Sequence, residues 1–198
     1  DHAIDEFAVE IAGRRCLDAG ASTGGFTDCL LRRGAEQVVA LDVGHGQLAP
    51  QLASDPRVVA LDRTNLRHLD PVALGGPFDL IVADLSFISL CVVAPVLASL
   101  SGAGTQLVLL VKPQFELSRG ALGKDGVVHR PELWGEAVGK VIDCLDAAGL
   151  GAVAVTASPL RGERGNREFF VLARRGPASL APEETEAVLE EMLEEASR

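Results

Sequence analysis

The sequence predicts an α/β fold: a mostly parallel seven-stranded sheet with helices on both faces and a final antiparallel strand. Three observations carry this. Short apolar segments alternate with helix-length segments along almost the whole of the 198 residues. The apolar segments are continuous rather than alternating (DLIVADL at 79–85, QLVLLVK at 106–112), as strands covered on both faces require. The last two are separated by SPLRGERGN at 158–166, too short and too polar for a helical crossover, so they are antiparallel neighbours.

In chain order, the first strand falls at 15–19, breaks into Gly20-Ala-Ser-Thr-Gly-Gly25, and resumes as a helix over 25–33. A second strand at 37–43 leads to a helix at 47–54, and a third at 57–61 to a short link at 66–74. A fourth strand at 78–84 precedes a helix at 89–100. The fifth, 106–112, is stopped by Pro113, which cannot donate to a sheet. The stretch 118–129, SRGALGKDGVVH, is a long glycine-rich loop at a strand end, suited to a lid or substrate contact. A helix at 131–148 and strands at 151–157 and 168–174 complete one domain over 1–176. The remaining 177–198 form an acidic helix or tail, with Val188, Leu189, Met192 and Leu193 at helical spacing. The pattern fits a Rossmann-like methyltransferase fold better than a dinucleotide dehydrogenase, whose GxGxxG is absent.

Composition narrows the function classes. Apolar runs such as 107–111 are far short of the ~20 residues of a membrane span. The opening residues, acidic and amphipathic, do not read as a secretory leader. Cys16, Cys29, Cys91 and Cys144 are isolated, with no CxxC pair, and read as buried reduced thiols of a cytoplasmic protein. His45, His68 and His129 are not spaced as metal ligands, so no metal is expected. The net charge of −10 looks wrong for a nucleic-acid binder, but it is uneven: 182–198 holds seven Glu against one Arg, whereas 158–175 holds five Arg against two Glu.

In such a sheet ligands sit outside the carboxyl ends of the strands. Asp18 ends the first strand, and Gly20, Ser22, Thr23, Gly24, Gly25 and Phe26 form the turn and helix start behind it. Glycines let a ligand approach the backbone, and the free N–H groups of the helix suit a carboxylate. Asp42, about 20 residues after the turn, suits ribose hydroxyls, and Asp62 on the next strand suits an adenine amino group. Asp84 and Lys112 end the fourth and fifth strands, and partial desolvation would make Lys112 a usable base. Glu168 opens the last strand beside Arg161, Arg164 and Arg167, where it could orient the lysine by charge pairing.

The segments GRRCLDAGASTGGFTDCLL, DVGHGQL, DPRVVALDRTN, FDLIVADLSFISL, LVKPQFE, GKDGVVH and ASPLRGERGNREFFV resemble the TlyA family over 13–171. Its members, historically named hemolysins, are ribosomal RNA 2′-O-methyltransferases related to the FtsJ type. The resemblance implies S-adenosyl-L-methionine as cofactor and the 2′-hydroxyl of cytidine in 16S and 23S ribosomal RNA, or in ribosomal subunits, as target. It further implies a Lys-Asp-Lys-Glu catalytic set, whose last three members match Asp84, Lys112 and Glu168. The first lysine would fall one or two residues before Asp1, and a basic S4-type RNA-binding domain before that. The chain is therefore expected to be the catalytic domain of a longer protein, weak in methyl transfer by itself. Two other readings have less in their favour: a noncatalytic binding module, and a membrane-active cytolysin, for which the acidic tail is a poor anionic-lipid binder.

Overall fold

In the computed structural model, which describes residues 1–181 with 183, 185, 187, 188 and 190, the order of elements follows the alternation of the sequence. The strands are β1 (Arg15–Ala19), β2 (Gln37–Leu41), β3 (Val58–Leu61), β4 (Phe78–Ala83), β5 (Ser101–Val111), β6 (Leu150–Ala157) and β7 (Phe169–Arg175). The α-helices are α1 (His2–Glu6), α2 (Gly25–Arg32), α3 (Pro50–Ala53), α4 (Leu90–Ser99), α5 (Pro113–Glu116) and α6 (Glu132–Ala147). The link at 66–74 is two 3₁₀ turns, each opened by a side-chain cap: Asn65 accepts from Arg67 N and Asp70 from Val72 N. Most of the expected tail helix lies outside the described residues; Val188 packs partly buried against the core.

The sheet order is β3-β2-β1-β4-β5-β7-β6. Strands β1 to β5 pair in parallel, and β7 runs antiparallel between β5 and β6. Alternate strand residues feed two cores. Leu17, Val39, Ile81, Leu107 and Val171 face α4 and α6, while Cys16, Val38, Leu80, Val108 and Leu172 face α1 and α2. Helix α6 presents Trp134, Ala137, Val138, Val141 and Leu145 at helical spacing to its core, and the Trp134 indole donates to Val128 O.

Two expectations are revised. Strand β5 begins at Ser101, before the apolar run, because Thr105 Oγ1 bridges Phe78 O and Gly102 N and carries an irregular register there. The cysteines are not all reduced: Cys91 on α4 and Cys144 on α6 form a disulfide, across a separation of 53 residues. Single, widely spaced cysteines gave no hint of it, since the pair meets only through the packing of α4 on α6. Cys16 and Cys29 are buried and free.

Candidate active site

The turn after β1 is held from both sides. Gly20 N and Ala21 N donate to Leu41 O at 2.8 and 3.0 Å, so the chain turns over the end of β2. Gly20 has φ +84°, and a Cβ there would lie 2.3 Å from Asp84 O. Only glycine lets the turn touch the end of β4 this closely. Asp42 accepts from Ser22 N at 2.9 Å and from Gly44 N at 2.7 Å, tying the turn to the 42–46 loop.

Behind the turn Asp18 is fully buried. Thr27 Oγ1 donates to its Oδ2 at 2.7 Å, whereas Oδ1 is buried without a hydrogen-bond partner. Burial pushes the carboxyl up to about 7, with the nearby Asp84 and Asp42 adding to the rise. A recess of about 320 Å³ opens here, lined by Asp18, Gly20, Ser22, Thr23, Gly25, Phe26 and Asp84 among others. Its chemistry is that of a cation acceptor beside backbone amides.

A larger cleft of about 530 Å³ adjoins it and shares Gly20, Ser22 and Asp84. Lys112, at the end of β5, lies 2.6 Å from Asp84 Oδ1 and donates to Ser86 Oγ at 3.1 Å. The Lys112 side chain is 14% exposed, its ammonium reaching into the cleft from a buried stem. In the β5–β7 register Val111 faces Phe169, so one further step sets Lys112 opposite Glu168. Glu168 makes its close bond elsewhere, accepting from Gln114 Nε2 at 3.2 Å. Burial raises its carboxyl above the usual range, against the opposing field of Lys112. The ion pair of the lysine is thus with Asp84, and Glu168 acts on it across space.

Gly24, Asp42 and Asp62 line neither recess. Gly24, at φ +106°, packs against Leu48 and Leu52. Asp62 accepts from Gly46 N and pairs with His45 Nδ1, both at 2.8 Å, contacts that hold its carboxyl below the usual carboxylate range. Asp42 and Asp62 therefore shape the 42–46 loop, and Asp42 ties it to the turn.

Sequence reasoning missed Gln114, Phe87 and Phe115. Gln114 Oε1 is buried without a hydrogen-bond partner beside Glu168. Phe87 is 91% exposed, has φ +63°, and lies tilted against Phe115 at the cleft with ring centroids 5.1 Å apart. An exposed aromatic side chain on left-handed backbone is costly, and such cost gathers at functional loops. The available signal was Phe87 between Ser86 and Ile88, just past a strand end. Among the described residues no group of His, Cys, Asp or Glu could hold a metal ion.

A seven-stranded sheet of this order, with a glycine turn after its first strand, defines the fold of S-adenosylmethionine-dependent methyltransferases; one such enzyme from Mesorhizobium loti superposes with a TM-score of 0.65 at 19% identity, over 88% of this chain and 96% of that one. The chain belongs to the FtsJ-like methyltransferase family, whose sequence model matches residues 1–175. It is 55% identical to the 16S/23S rRNA (cytidine-2′-O)-methyltransferase TlyA of Mycobacterium tuberculosis over 172 residues, 87% of this chain. It spans 64% of the length of that relative. A hemolysin-named structure from Streptococcus thermophilus matches with a TM-score of 0.94 at 34% identity, over 99% of this chain and 72% of that one. Among the described residues no helix is long and apolar enough to cross a membrane.

Proposed function

We propose that this chain is the catalytic unit of an S-adenosyl-L-methionine-dependent 2′-O-methyltransferase acting on cytidine ribose in 16S and 23S ribosomal RNA, in the cytoplasm. The observation that carries it is the Lys112–Asp84 ion pair, set in a cleft that opens into the recess of the glycine turn. The residues of that recess suit the cofactor. The orphaned Asp18 Oδ1 offers a cationic amino-acid group an acceptor it would need. Asp42 and Asp62, at the ends of the next two strands, would accept from the ribose hydroxyls and the adenine amino group. The likeness to rRNA methyltransferases supports the target class.

The bound cofactor supplies an activated methyl group. This chain has to orient a 2′-hydroxyl, whose proton leaves to solvent water as the oxygen bonds to the methyl group. Lys112 would sit against that oxygen and stabilise the charge growing on it; Asp84 fixes the ammonium in place. Glu168, buried and held by Gln114, gives a second negative field behind the lysine. Phe87 and Phe115 offer ring faces to a base next to the reacting ribose, and Arg164 at the cleft wall offers a cation to phosphate.

The experiment is calorimetric titration with S-adenosylmethionine and with NAD, followed by methyl transfer to rRNA for native protein and Lys112→Ala, each in the longer protein. We expect binding of the first ligand alone, and a loss in kcat of about 100-fold or more with cofactor affinity within a factor of about three. Equal losses in binding and rate would make Lys112 a pocket residue only.

A further inference from the structure

Glu116 closes α5, four residues past Lys112, and does not line the cleft. It is 3% exposed, and its carboxylate accepts from Ser89 Oγ at 2.5 Å and Leu90 N at 2.8 Å. Ser89 is the N-cap of α4, and its Oγ accepts in turn from Cys91 N at 3.1 Å. Leu90 N is one of the donors that a helix start leaves without an intrahelical partner. The carboxylate therefore finishes a cap that Ser89 begins. The peptide oxygen of Glu116 accepts from Lys140 Nζ on α6, which fixes the other end of the residue. A buried carboxylate is costly unless its lone pairs are met, and here they are met by donors of a single segment.

That segment carries the site. Residues 84–89 run from the end of β4 to the cap of α4 and hold Asp84 and Ser86, both in contact with Lys112. They also hold Phe87, at φ +63°, a conformation kept only where its surroundings over-determine it. The loop is thus tied to 112–116 at both ends, through Lys112 at one and Glu116 at the other. We propose that Glu116 is a positioning residue, a clamp that seats the 84–89 loop on Lys112 and so sets the Asp84–Lys112 contact. Its importance for catalysis rests on the methyl-transfer reading of that pair; the clamp does not.

The test reads the Lys112 ammonium directly, by side-chain 15N NMR of lysine-labelled protein. The chain has only three lysines, Lys112, Lys124 and Lys140, so Lys112→Arg assigns the signal. In Glu116→Ala the ammonium should exchange with water at least about tenfold faster, as expected when a charge-assisted contact loosens. Ser89→Ala should move it the same way by less. Glu116→Gln, which still accepts from Leu90 N, should stay within about twofold of native by the same reasoning. Val141→Ala, a core change in α6, is the control for lowered melting temperature alone. Native exchange at Lys112 in Glu116→Ala overturns the proposal, as does an equal change in a Val141→Ala protein of the same melting temperature. If Glu116→Ala does not fold, native exchange in Ser89→Ala overturns it. Neither RNA nor methyl donor enters the measurement, so failure of the proposed reaction leaves its result standing.

Discussion

Asp18 is a residue at which stability and ligand capture pull apart. Its carboxyl titrates near 3.8 when the chain is unfolded and is pushed up to about 7 by burial in the fold. The folded state thus favours the protonated form. That contribution is whole below pH 3.8 and is lost as pH rises through about 7, on the order of 4 kcal/mol in all. Asp18→Asn, neutral at every pH, should flatten this limb and make the protein more stable than native at pH 8. Urea midpoints across pH 4–8 measure it; parallel curves for the two proteins would mean Asp18 is not held neutral. The same variant should bind a cationic cofactor about tenfold or more weakly at pH 8, the scale of one charged hydrogen bond. Asp18 was legible as a strand-end acid near a glycine turn. Its full burial was not, because that depends on Thr27 and α2 folding back over it.

At the scale of elements, local pattern found what is local. Strand β1, the Gly25 start of α2 and the Pro113 stop after β5 fall where the sequence puts them, since each is set by hydrophobic run, glycine or proline in place. The sequence gives no such notice of α5 as a helical turn, of the Glu116 cap or of the Cys91–Cys144 bond, because these arise where α4, α5 and α6 meet. The disulfide closes a separation of 53 residues, for which chain entropy gives about 4 kcal/mol. Cys144→Ser, or reductant added to native protein, should lower the melting temperature by several degrees. Calorimetry with and without a phosphine reductant checks this; a reductant effect that persists in Cys144→Ser would place its origin elsewhere.

Across the whole molecule, the parallel half of the sheet was readable from runs such as DLIVADL, and the reversal of β7 from the short polar SPLRGERGN. The pairing of Lys112 with Asp84 rather than Glu168 was not, for register alone puts Glu168 opposite the lysine. The reversal has a further consequence. Parallel strands bring their ends to the crevice, but β7 brings its beginning, so the 158–167 connection from β6 opens onto the larger cleft with Arg164 and Glu163. The turn after β1 builds the neighbouring recess, with Gly20, Ser22 and Asp84 common to both. On the proposed function, Glu163 and Arg164 would stand on the target side alone, so that this hairpin can diverge without touching the cofactor recess. Exchanging 159–165 for the matching hairpin of a relative, with Asn166 kept to hold Val128 N and Gly126 O, should transplant nucleotide preference while cofactor affinity stays within about twofold. Side-by-side methylation of the two parents' preferred RNAs reads the outcome, and a coupled loss of cofactor affinity would show the halves to be one inheritance rather than two.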